Sequence, residues 1–470
     1  VEAENFFSEA DALQKIGKTQ WQMSAYDEAI AYYEQSQSIS QDIGNRRGVG
    51  KALSGVGEVF ASLYQYQEAI KTYNKALKIS QEEGNLEDAG VLLAGIGSLH
   101  NDIGQYGQAL DYLQQALTIT KEVGNRVGEG STLNNIGLVY RSQGRYGEAL
   151  NSLERALVIY GGVGDRVGES ITLNNIGEVY RSQGRYKEAL SYLEQTLTIH
   201  QEVGNRSEEG TTLNNIGLVY SSQGRYGEAL NSLERASVIY REVGNRVGEG
   251  ITLANIGEVY RSQGRYSEAL NSLERTLAIY QEIGNRATES AALNVISEVY
   301  ISQGRYSEAL NSLERASVIH QEVGNHAGKG TTLNIISRVY ISQGRYGEAL
   351  NYLEQALVIY REVGDHTGAG WTLENIGKVY ISQGRYGEAL NYLEQALVIY
   401  REVGDHVGES STLNTIGLAY GSQGRYDEAL NYLERALVIC REVSHRVGEG
   451  STLYSIGEIY RYQDSYVEAL

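Results

Sequence analysis

Proline is missing from all 470 residues, and cysteine occurs once, at Cys440. Without proline no helix here is ended by a missing amide donor, so that task falls to glycine. A single cysteine cannot form an intrachain disulfide; nothing staples the fold, and a reducing cytoplasm suits it. Positive charge is in deficit as well, with 40 Lys and Arg against 59 Asp and Glu, a formal net charge of −19. That balance argues against nucleic acid or an anionic membrane as a partner, while leaving room for a locally basic groove. No apolar run approaches the roughly 18–20 residues a membrane helix needs, and no charged-then-apolar leader is visible. The chain opens at Val1 without a methionine and stops at Leu470 within a repeat, so it is expected to be a piece of something longer.

What is present is a period. Residues 341–366 and 381–406 are identical letter for letter, and the same frame runs back through LNNIGLVY at Leu213, LNNIGEVY at Leu173 and LNNIGLVY at Leu133. The period is 40 residues, which overrules the three or four ordinary domains that length alone suggests. In this frame residues 1–470 hold eleven complete units and a truncated twelfth, with no linker, and are expected to form a single domain. A repeat of that size cannot bury its apolar face alone and stacks on its neighbours as a solenoid.

Within one unit, Leu133, Ile136, Gly137 and Tyr140 share a helical face by their i, i+3, i+4, i+7 spacing. Ser142 to Arg145 then break the pattern, with Gly144 supplying the freedom for a tight turn. The second helix presents Tyr146, Ala149, Leu150, Leu153, Ala156, Leu157 and Tyr160, its two alanines allowing close approach of the partner helix. Gly164 suits the left-handed position after a helix, and Asp165 the N-cap of the next. The pattern predicts an all-α fold of antiparallel hairpins with no strand.

These residues resemble the tetratricopeptide repeat family, whose pattern wants large, large, Gly, Tyr on the first helix and Ala, large, Ala on the second. Leu133, Ile136, Gly137, Tyr140, Ala149, Leu153 and Ala156 match it in order and spacing. The unit is longer than the family's usual length of about 34 residues, because the customary proline is replaced by further helix such as Tyr160 to Val163. This is similar to the variant in Pins-type and kinesin-light-chain repeats and in bacterial arrays attached to peptidase or signalling domains. The resemblance implies a right-handed superhelix with the exposed side of each first helix lining a concave groove, and a scaffold that binds a protein or an extended peptide. The family's carboxylate clamp does not carry over, since no unit has lysine at the position of Asn134.

On the first helix, 100° per residue sets Ser131, Asn134, Asn135, Leu138, Arg141 and Ser142 opposite the packing stripe. Along the earlier half of that surface run Asn134, Asn135, Asn174, Asn175, Asn214, Asn215 and Asn255, with Arg141, Arg181 and Arg261 beside them. Each carboxamide offers a donor and an acceptor to a peptide backbone, and the arginines favour acidic side chains. In the later half Ile301, Ile341 and Ile381 take the arginine slot, joined by Val295, Ile335 and Trp371. Arg338 and Lys378 lie nearby, so an apolar patch with a positive rim is expected there, anchored by Trp371.

No catalytic residue, cofactor or metal site is indicated. His326, His366 and His406 recur in successive loops, but equivalent positions on stacked units lie roughly 8–10 Å apart, too far to share one zinc. They are expected to be solvated replacements for residues such as Arg166. Two further readings are an array that senses or inhibits for a bacterial enzyme whose catalytic domain lies outside these residues, and an element that stacks end to end with copies of itself.

Overall fold

The computed structural model describes residues 2–23 and 25–463. Among these residues are twenty-three α-helices, from Glu2–Gln22 to Arg446–Tyr462, and no strand. The chain is an all-α, right-handed superhelical solenoid of antiparallel hairpins. Residues 464–470, where the second helix of the last unit is expected, lie outside the described residues.

One unit explains the rest. The first helix, Arg126–Ser142, starts at Asn125, whose side chain accepts the Gly128 amide at 2.8 Å. It stops at Gly144, which enters the left-handed region at φ 71° so that the chain reverses within a few residues. The second helix, Tyr146–Val163, has no side-chain cap; Arg145 lies over the Tyr140 ring at 4.5 Å and pairs with Glu148 at 2.7 Å. Those contacts tie the turn to both helices, with Glu148 in the first turn where the helix dipole favours an anion.

Leu133, Ile136 and Val139 of the first helix cluster with Ala156 of the second and with Leu113 and Leu117 of the preceding unit, while Ala149 and Leu153 cluster with Ile176 and Val179 of the next. Gly137 is the close point between the two helices: a Cβ there would come 2.7 Å from Leu153 Cγ, and the residues that replace it in other units, Ser297 and Ser337, are small. Truncating a fully buried leucine such as Leu153 removes about 2–5 kcal/mol.

Curvature follows from unequal contact. First helices touch the first helix of the next unit in nearly every unit, as Arg126–Ser142 does Arg166–Ser182, whereas successive second helices are splayed apart. First helices therefore line the inside of the superhelix and second helices its outside. After about 260 residues, roughly six and a half units, the solenoid meets itself: Gln65, Gln105 and Gln143 bond to the chain near residues 323, 364 and 403.

Candidate partner-binding face

The inner face of the first helices carries the residues singled out above, but not all of them reach the groove. Asn134 is 5% exposed, and its Nδ2 donates to Thr172 Oγ1 of the next first helix at 2.9 Å. Asn214 is 8% exposed and accepts from Asn255 Nδ2 at 2.9 Å. Asn215 likewise donates to Asn174 Oδ1 at 2.8 Å. Much of the asparagine ladder therefore cross-links neighbouring units, a correction to its expected exposure. A carboxamide pointing along the stack finds its partner on the adjacent first helix, where a bond left unmade inside a contact would be costly. Asn135 and Asn175 are half-buried and have no side-chain partner among the described residues.

The arginines differ among themselves. Arg181 pairs with Glu178 and Arg261 with Glu258, each at 2.7 Å and one helical turn away. Arg141 has Leu138 at that position, and among the described residues no carboxylate lies within ion-pair distance of it. Burial holds its guanidinium below the ordinary value, opposed by attraction to Glu178. Arg141 is thus the cation on this face most in need of an incoming anion.

In the later half the structure corrects both the patch and its rim. Ile335 is 6% exposed and belongs to the core, while Ile301, Ile341 and Ile381 are half-buried against that same core beside Tyr300, Tyr340 and Tyr380. Val295 packs partly into a neighbouring cluster. Arg338 pairs with Glu298 of the preceding unit, and Lys378 with Glu374 at 2.6 Å. Glu374, which replaces an asparagine, is buried and accepts hydrogen bonds from Ser411 and Thr415. The positive rim is therefore largely neutralised within the chain. Of the residues expected in the patch, Trp371 keeps the large exposed apolar surface, at 39%.

Two features were not singled out from the sequence. On the outside, a groove of about 530 Å³ opens between the second helices Tyr226–Glu242 and Tyr266–Glu282, walled by Val238, Arg241, Asn271 and Arg275. Similar grooves recur at Arg155 and Arg315, beside the exposed Val158 and Val318. The signal was available, since valine recurs there outside the packing stripe. The other feature is the self-contact of successive superhelical turns. His406, expected to be solvated, is half-buried, and its amide donates to Gln143 O at 2.9 Å.

Cys440 is a buried free thiol whose pKa burial raises. His100 is buried and stacks on Tyr112 with centroids 5.3 Å apart, taking the place of a tyrosine in the pattern.

Among known proteins, the tetratricopeptide repeat profile matches residues 8–82, 87–162, 128–202, 168–242, 208–282, 287–362, 343–402, 368–442 and 408–470. No curated protein sequence matches significantly. Of solved structures, yeast Tom70 is similar over 97% of this chain and 96% of its own, at 14% identity and a TM-score of 0.50. A Rap protein complexed with competence and sporulation factor is similar over 77% of this chain and 99% of its own, at 16% identity and a TM-score of 0.46. A Podosopora anserina putative kinesin light chain with nearly identical repeats is similar over 40% of this chain and 93% of its own, at 22% identity and a TM-score of 0.34. With the family pattern matched from residue 8 to residue 470 and hairpins stacked in the order that pattern requires, the chain belongs to the tetratricopeptide repeat family.

Proposed function

We propose that the chain is a non-catalytic interaction scaffold, acting over residues 1–470 as one module that holds an extended polypeptide segment along its inner face. The observation that carries this reading is the pattern of variation along that face. Between units the packing positions hardly change, while the inward slot passes through Leu138, Glu178, Leu218, Glu258, Glu298, Arg338, Lys378 and Leu418. A surface that is constant where it packs and variable where it faces the groove suits sequence-selective contact with a partner.

Within it, Arg141 supplies a cation for an acidic side chain, Asn135 and Asn175 supply amides for a peptide backbone, and Trp371 supplies an apolar anchor. Each contact is modest, so affinity accumulates along the segment. The size of the superhelix favours an extended partner: first helices spaced about 8–10 Å apart round six and a half units leave a bore on the order of 10 Å once helix thickness is removed.

The test is a displayed library of unstructured peptides selected on the intact chain, with the selected sequences rebound to Arg141→Ala and Trp371→Ala. Selection of acidic, apolar-containing segments, with affinity lost in the variants at unchanged melting, supports the reading. Failure to select any sequence, or full retention by both variants, overturns it.

A further inference from the structure

The self-contact of the superhelix is built in large part from residues in which the repeats depart from their own consensus, joined by the consensus Gln143. In most units an arginine closes the hairpin turn, as Arg145 does, and stacks on the tyrosine beside it. At two earlier turns that residue is Gln65 and Gln105, and their amides reach across to the next superhelical turn. Gln65 Nε2 donates to Val323 O at 2.9 Å and Gln105 Nε2 to Gly364 O at 3.1 Å. His100, standing where Tyr140 stands in its unit, contacts Gln105 Oε1 through Nδ1 at 2.7 Å and so orients that amide. At the following turn Gln143 grips the backbone twice, donating to Val403 O at 2.8 Å and accepting from the His406 amide at 2.9 Å.

The opposite side departs from consensus in the matching places. Loops away from the contact carry an arginine that runs along its own unit to two glutamates, as Arg206 does to Glu209 at 2.5 Å and Glu242 at 2.8 Å. The loops facing Gln65, Gln105 and Gln143 carry His326, His366 and His406 instead. The shorter side chain leaves the loop backbone open to a second segment. Tyr106 completes the contact through a 3.0 Å hydrogen bond to Thr367 Oγ1.

We infer that these turns and loops form a latch that holds the superhelix shut and thereby sorts partners, admitting an extended segment to the bore and a folded domain only when the latch parts. This rests on the inner face being the binding face. The latch itself is tested without any partner. A Cβ at Gly144 would stand 3.6 Å from Val407 Cβ, inside the span of about 3.5–4.5 Å that a disulfide needs. The equivalent turn position is occupied by Tyr64 at φ 61°, so a side chain is tolerated there.

In a Cys440→Ser background, Gly144→Cys/Val407→Cys oxidises to an intramolecular disulfide in the monomer, while the control pair Gly224→Cys/Val407→Cys does not. Equal crosslinking of the two pairs at native helicity overturns the latch. For sorting, Leu138→Cys in the same background is labelled with a small maleimide and with a polyethylene-glycol maleimide. Adding Gln65→Ala, Gln105→Ala and Gln143→Ala raises the rate of the bulky reagent relative to the small one by roughly tenfold, as expected for losing a few net hydrogen bonds. An unchanged ratio overturns the sorting role. Neither readout uses a bound peptide, so failure of the latch and failure of the scaffold reading are told apart.

Discussion

The loops between Gly164 and Arg286 and those between Gly324 and Val407 join the same helices in the same frame, yet do different work. In the first set an arginine holds its own unit together, as Arg286 does by pairing with Glu289 at 2.5 Å and reaching Glu322. In the second a histidine replaces it, and the loop instead receives a turn from about 260 residues earlier. A repeat array can therefore keep its local fold unchanged while a few substitutions at one register convert a solvated loop into a long-range contact. The exchange is accommodated because the buried glutamate that pairs with the arginine changes with it in two of the three loops, Glu289 giving way to Lys329 and Ala369.

The comparison can be broken first at the level the two regions share. Leu193→Ala and Leu353→Ala remove fully buried leucines from the two regions, and each is expected to cost about 2–5 kcal/mol. Urea unfolding followed by circular dichroism should show similar losses, and a large inequality would mean the units are not packed alike.

Acidity separates the regions next. Asp405 caps the helix after it by accepting the Gly408 amide at 2.8 Å, and burial pushes its carboxyl up to about 6, against backbone hydrogen bonds that lower it. Around it stand His406 on its own loop, Glu374 of the preceding unit, Tyr400 beneath, and Tyr106 and Tyr146 from across the contact. A carboxyl with a raised folded pKa binds its proton more tightly when folded. Its contribution is thus fully present below the unfolded value near 3.8 and is lost as pH rises through about 6. Asp405 should therefore add on the order of 2 kcal/mol to stability in urea as pH falls from 6 towards 4, a change followed by circular dichroism. Asp405→Asn, with the cap type already found at Asn125, should flatten that dependence.

A smaller effect is expected from restoring the consensus residue. His406→Arg places a long side chain where Gln143 approaches, and should reduce the Gly144→Cys/Val407→Cys crosslink by roughly fivefold, equivalent to about 1 kcal/mol of lost contact. Smallest in its effect on the crosslink is the reverse exchange, Arg286→His, which removes an exposed pair with Glu322 and a partner of the buried Glu289 from a loop that receives no turn. It should leave the crosslink unchanged while melting falls, because buried Glu289 loses a partner; a clear loss of crosslinking would show the two loop sets to be coupled.

Much of one unit was legible because it is local. The spacing of Leu133, Ile136 and Gly137, the turn at Gly144 and the cap at Asp165 concern neighbours within a few residues, and propensity and periodicity act over that range. The inner face was legible in part. Its positions came from helical geometry, but the burial of Asn134, Asn214 and Ile335 depends on how closely the next unit approaches, which one helix does not encode. The pairing of Arg338 and Lys378 was hidden for the same reason: Glu298 lies 40 residues before Arg338, and Glu374 had to be buried before it could hold Lys378.

By itself, then, the sequence determined the period, the two helices of each unit, the glycines that end them and the faces that pack, since these follow from local sterics and burial. Tertiary structure alone decided whether one superhelical turn would touch the next. That outcome depends on a small rotation repeated over six and a half units, where a slight change at each step accumulates into contact or open space. Gln65, Gln105 and the three histidines were visible as departures from the repeat, and only that accumulated geometry put them where they meet across the turns.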